Sequence, residues 1–181
     1  VYSPYLPKLQ AENIHVPTRA FIAGAVVFRR DVALEIPPSP PGYFMYATEP
    51  ATALELLARG WEADYLPDAF VYHVFEARKK IKPHHAYLPL RNDLVTIDRY
   101  FRGMTRWEMR VGRYLTGFLH LLAAGKPSDI FRVGDDARQL LESLGKREIP
   151  LEVQRRVYPC FEGTTLRTLF SETTRRRVGY F

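Results

Sequence analysis

One cysteine, Cys160, stands among 181 residues, which excludes an internal disulfide framework and a metal cage built from thiolates. Long hydrophobic runs are missing too. The longest, Tyr114 to Gly125, is interrupted by Thr116 and His120 and is too short to span a bilayer. No charged-then-apolar leader opens the sequence, so nothing in it reads as a signal peptide. There is no HExxH, no G-x-S-x-G elbow, no phosphate-cradling glycine-rich loop and no Asp-x-Asp. A self-contained zinc protease, a serine hydrolase of the elbow type and a P-loop nucleotide site are thereby set aside. Internal repeats and low-complexity segments are also lacking.

What is present is an ordinary globular balance, 46% apolar and 25% charged, with a chain long enough for a substantial core. Lys and Arg total 26 against 20 Asp and Glu, for a net charge of +6. The excess gathers in Arg78–Lys82, Arg99–Arg113 and Arg175–Arg177. Such a surface attracts polyanions: nucleotide diphosphates, nucleic acid or an anionic membrane face. Arg99, Arg106 and Arg113 alternate with Tyr100, Trp107 and Tyr114, a pattern that can stack on bases. The same pattern also describes a helix with a solvated basic face and an inward apolar stripe.

Periodicity organises the chain as follows. Phe21–Phe28 is a compact apolar run with β-branched content, expected to be a buried strand, and Gly24 within it marks a close approach of backbone or ligand. Asp31–Ile36 suits a short helix stopped by Pro37 and Pro38, and the proline-rich stretch 37–42 is a stiff loop. Pro50 suits the first helical position, making Glu49 the N-cap of a helix whose face carries Ala51, Leu54, Leu57 and Ala58 and which Gly60 ends. Trp61–Leu66 and Phe70–Val74 read as strands broken by Pro67-Asp68. Helices are expected over Leu88–Tyr100, Trp107–Ala124 and Ile130–Leu144, the last closed by Gly145, with no firm assignment beyond Pro150.

Two residues stand out chemically. A carboxylate at the start of a helix is held ionised by the dipole and can act as a general base toward a hydroxyl, or it can simply cap. Glu49 is open to both readings. His73, at the end of an apolar strand, is placed either to ligate a divalent cation, with Asp68 or an outside acid completing the set, or to serve in packing. His84 and His85 are adjacent, so they should diverge and not share a metal.

Taken in order, these pieces resemble the C-terminal, acceptor-side half of a family 2 glycosyltransferase of the GT-A fold. The small-residue strand ending in Arg29-Arg30, the aromatic lead Tyr43-Phe-Met-Tyr-Ala-Thr into Glu49, and the interval from Glu49 to Gly60 carry the likeness. So do Trp61 to His73 and the pair Arg91-Asn92. The resemblance implies an α/β fold: residues 1–101 as the acceptor-side part of a Rossmann-like GT-A catalytic domain, 102–149 as a helical extension, and 150–181 as an irregular or flexible segment. It implies inverting transfer of a sugar from a nucleotide-sugar donor to a hydroxyl of a saccharide or lipid-linked acceptor, as in cell envelope polysaccharide synthesis. Glu49 would be the base, His73 a ligand of Mg2+ or Mn2+, and Arg91, Gly24 and Trp61 substrate contacts. This sequence differs from the family's pattern in having Thr48-Glu49-Pro50 at the acidic motif and a proline-rich loop ahead of it. Since the donor half and its Asp-x-Asp are not in these residues, the expectation is a piece of a longer transferase, cytoplasmic or peripheral at the inner membrane face. The alternatives are a basic module holding nucleic acid or an anionic membrane, with nucleic acid less favoured, or a catalytically degenerate transferase domain.

Overall fold

The computed structural model describes residues 16–18, 26–37, 39–66 and 83–157. Their elements, in order, are β1 (Val16–Thr18), α1 (Arg30–Glu35), α2 (Thr48–Ala58), β2 (Ala63–Tyr65), α3 (Pro83–Tyr100), α4 (Gly103–Ala123), α5 (Asp129–Leu144) and α6 (Leu151–Val157). Helix dominates. The strand component among the described residues is a single antiparallel ribbon in which Val16 pairs with Tyr65 and Thr18 with Ala63. The expected α/β layering is therefore present only as this ribbon, and the core is helix against helix.

α3 is the centre of that core. Leu90, Leu94, Val95, Ile97 and Tyr100 are all fully buried, and their spacing puts apolar groups on most sides of the helix, as in a helix enclosed by others. α4 returns antiparallel along it: Asp98 meets Arg106 and Arg110, Asp93 meets Arg113, and Leu90 meets Gly117. A Cβ at Gly117 would lie 2.5 Å from both terminal carbons of Leu90, so the absent side chain is what lets the two helices approach. α5 then runs parallel to α3, joined to it by Tyr87 with Asp136 at one end and by the Arg99 Nη1 bond to the Leu144 carbonyl, 2.9 Å, at the other. The segment after α5 straps back across the end of α3 through Arg147 N–H to Arg99 O and Ile149 N–H to Tyr100 O. Helices on both sides of residues 101–102 thus contribute to one buried cluster.

A buried acid ties α2 to this frame. Glu55 accepts a 2.8 Å hydrogen bond from the Tyr100 hydroxyl and lies among the guanidinium groups of Arg59, Arg99 and Arg147. Burial and the neighbouring Glu55 charge push the Tyr100 hydroxyl up from its ordinary range, so it stays a donor. α2 ends in a Schellman motif: Trp61 N–H reaches Leu56 O and Gly60 N–H reaches Leu57 O, with Gly60 at φ +80°.

Several boundaries differ from the sequence reading. α2 starts at Thr48, and its N-cap is Ala47, not Glu49. Tyr46 and Ala47 both adopt positive φ, which swings the chain into the helix two residues early. Pro50 is tolerated at the third position because the first turn's N–H groups have no helical acceptor anyway. Of the expected strand Phe21–Phe28, residues 26–28 have no regular structure and Val27 is 89% exposed; only Phe28 turns inward, onto the cluster of Val32, Ile36 and Leu56. Gly24 and the rest of that run lie outside the described residues, as does Phe70–Val74. α3 begins at Pro83, five residues ahead of Leu88, so Pro89 sits inside the helix. The loss of one backbone bond there is offset by the extensive burial of α3. Beyond Pro150, where no element was assigned, α6 adds Val157 to the core and buries Gln154, whose amide bonds the Ile149 carbonyl. Among the described residues no helix is long and apolar enough to cross a membrane.

Two consequences can be measured. Asp93 is largely buried against Arg113 at 2.6 Å, and its burial raises its pKa despite that partner. Arg113→Met should cost about 3 kcal/mol in urea denaturation, because a buried carboxylate is left unpaired, and Asp93→Asn in the same chain should restore much of it. His120 has its pKa lowered from 6.5 by burial and then by the Arg113 charge. The unfolded chain therefore binds the extra proton first, and stability falls as pH drops from 6.5 through the folded value, by at most about 1.4 kcal/mol per unit. His120→Gln should flatten that limb of the stability–pH curve.

Candidate functional site

The loop from Ser39 to Ala47 carries the chain into α2, and the groups that hold it all come from α3. Asn92 is fully buried. Its Nδ2 donates to the carbonyls of Met45 and Tyr46, both at 2.8 Å, and its Oδ1 accepts from Arg91 Nε and Nη2 at 3.0 and 2.9 Å. Arg91 Nη2 also donates to Gly42 O at 2.9 Å. One dipeptide therefore grips the loop at three carbonyls. Tyr43 adds a fourth anchor from the loop side: its hydroxyl donates to Asn92 O at 3.1 Å and lies 2.9 Å from Thr96 Oγ1. Burial raises the Tyr43 pKa well above its ordinary value, which keeps the hydroxyl a donor.

These bonds have a local purpose. Consecutive left-handed residues without glycine are costly, and the Met45 and Tyr46 carbonyls gripped by Asn92 lie at that bend. Glu49 follows within the first turn of α2, where the dipole favours a carboxylate, and Thr48 Oγ1 donates to its Oε2 at 3.0 Å. Beside this turn, the Tyr46 hydroxyl contacts His85 Nδ1 of α3 and the two rings meet edge to face at 5.6 Å. The rings of His84 and His85 are only 4.1 Å apart, so adjacency on the helix did not make them diverge. A carboxylate, a phenol and two imidazoles are thus presented by the loop, the first turn of α2 and the first turn of α3.

The sequence-predicted residues divide accordingly. Glu49 and Arg91 are tied to one loop, Arg91 through Gly42 and Asn92. Trp61 goes elsewhere: it packs on the small cluster with Val32, Ile36 and Leu56, with the Arg29 guanidinium 5.1 Å from its ring centre. His73 and Gly24 lie outside the described residues. Tyr43, Tyr46, His85 and Thr96 were not singled out as site groups; an Asn directly after an Arg inside an apolar helix was the available signal for the clamp. No family model, no curated protein and no solved structure matches this chain.

Among the described residues no three His, Cys, Asp or Glu side chains group to hold a metal ion. A second feature is an open groove of about 570 Å3 between α3, α4 and α5. Asp98, Arg106, Arg110, Tyr114 and Phe131 are among its lining residues. Its arginines are occupied: Arg106 Nε reaches Asp98 at 2.7 Å and Arg110 pairs with the other oxygen of the same carboxylate. The Arg/aromatic pattern of residues 99–114 therefore makes ion pairs within the fold.

Asn92→Ala should cost about 2 kcal/mol by removing the two hydrogen bonds to the part-buried Met45 and Tyr46 carbonyls. Hydrogen exchange at residues 43–47 should rise by more than in the rest of the chain; unchanged protection there would show that the clamp does not hold the loop.

Proposed function

We propose that these residues form the acceptor-side part of an inverting, nucleotide-sugar-dependent glycosyltransferase, with Glu49 as the general base. The observation that carries the reading is the clamp. The aromatic lead into Glu49 and the Arg91-Asn92 pair, more than forty residues apart in the chain, are joined by direct hydrogen bonds. Two separate parts of the resemblance thereby become one physical unit whose effect is to set the position of a carboxylate.

In this reading the Glu49 carboxylate takes the proton of an acceptor hydroxyl as its oxygen bonds to the anomeric carbon and the nucleoside diphosphate departs from the opposite face. Arg91 acts through the loop, as a positioning residue. Trp61, expected as a substrate contact, is proposed instead as a packing residue of the α1–α2 corner. Mg2+ or Mn2+ would neutralise the departing diphosphate; the described residues do not supply its ligands, and His73 with carboxylates of a donor-binding half is the proposed source. The acceptor is a saccharide or a lipid-linked saccharide, and the protein works at an anionic inner membrane face. Nucleic-acid binding through the Arg/aromatic helices is disfavoured, because Arg106, Arg110 and Arg113 are engaged with Asp98 and Asp93.

Glu49→Gln in the full-length protein should lower kcat by roughly a thousandfold while nucleotide-sugar binding changes little. Turnover equal to that of the unaltered protein would remove Glu49 from the mechanism.

A further inference from the structure

The groove between α3, α4 and α5 is charged but compensated. Asp98, 8% exposed, accepts from Arg106 Nε at 2.7 Å and pairs through its other oxygen with Arg110. On α5, Arg138 holds Asp135 at 3.0 Å. A polyanion would have to displace these pairs, whereas a neutral ligand can add to them. Arg106 and Arg110 remain 38% and 35% exposed. A guanidinium carries more N–H donors in its plane than either arginine uses on Asp98.

The other wall is apolar. Phe131, in the first turn of α5, is 81% exposed, and Ile130 and Leu141 line the groove with it. Tyr114 reaches across from α4: a Cβ at Gly134 would lie 2.6 Å from its hydroxyl, so the bare glycine gives the phenol its place beside α5. The volume, about 570 Å3, is that of a small-ligand site.

These walls call for a ligand with a flat apolar face and, around it, groups that both donate and accept. A pyranose ring has that form. Its C–H face can stack on an aromatic ring, and its hydroxyls accept from guanidinium N–H and donate to carboxylate. A wholly aliphatic ligand would instead cover these polar groups without giving them partners. We propose that the groove binds a neutral oligosaccharide, with Phe131 as the stacking ring and Asp98, Arg106 and Arg110 as the hydrogen-bonding wall. None of the lining residues belongs to the Glu49 loop, so the groove is a second holding point for an extended acceptor and not the reaction centre. That use rests on the saccharide acceptor proposed above; the binding itself is read without turnover, so activity kept or lost in Glu49→Gln does not bear on it.

The test is saturation-transfer NMR of the full-length protein with cellotetraose, maltotetraose and chitotetraose, and with tetragalacturonate as the anionic counterpart. At least one neutral tetrasaccharide should bind with a Kd in the millimolar range or below, and more tightly than tetragalacturonate. Phe131→Ala, at an exposed position, should weaken that binding by about tenfold or more with thermal unfolding retained, and Phe131→Trp should preserve it. Phe118→Ala, at an exposed ring outside the groove, should leave it unchanged. Absence of saturation transfer to every neutral sugar overturns the proposal. So does undiminished binding in Phe131→Ala, or an equal loss in Phe118→Ala. Tighter binding of tetragalacturonate overturns it in favour of an anion-binding groove.

Discussion

Asp93 and Asp98 lie less than two turns apart on the most enclosed helix of the molecule, and a carboxylate so placed must be paired if it is ionised. That requirement governs how α3 and α4 meet. Arg113 supplies one cation and Arg106 with Arg110 the other, which aligns the two helices antiparallel and brings Gly117 under Leu90. The arginines share the inward side of α4 with Met109 and Leu121, which are fully buried in the core, and the other large apolar residues, Trp107, Leu115 and Leu122 among them, are left exposed on the outer side.

The same central helix carries the device that shapes the candidate site. Asn92 uses both amide hydrogens on successive carbonyls, and its oxygen is saturated by Arg91. Backbone strain at Tyr46 and Ala47 persists because neighbouring bonds over-determine it. The carboxylate of Glu49 is placed by a loop that has little freedom to move independently of α3. Glu55 does the equivalent task at the other end of α2, collecting Tyr100, Arg99 and Arg147 and so binding that helix to the strap after α5.

Some of this was legible residue by residue. α1 and α5, and the end of α2 at Gly60, follow from local spacing and breakers, and the structure places them within about two residues. The pair Arg91-Asn92 was visible as a piece of the resemblance, but its role as a clamp on Gly42, Met45 and Tyr46 was not, since those partners are more than forty positions away. The start of α2 was misplaced because the left-handed pair Tyr46-Ala47 contains no glycine to announce it. Glu55, Asp93 and Asp98 gave a weaker sign that went unused: each is an acid falling on a stripe of buried positions.

The face of α4 shows most plainly where local reading ends. Its sequence determines a helix about 30 Å long, with arginines, Met109 and Leu121 on one side and further large apolar groups on the other, and nothing in it says which side faces water. By itself the sequence determined where most helices run, the excess of positive charge and the single thiol, because these depend on neighbours in the chain and on composition. Which face of α4 is buried, and which carbonyls Asn92 grips, only the tertiary structure decided, because both depend on acids and loops that come from distant parts of the chain.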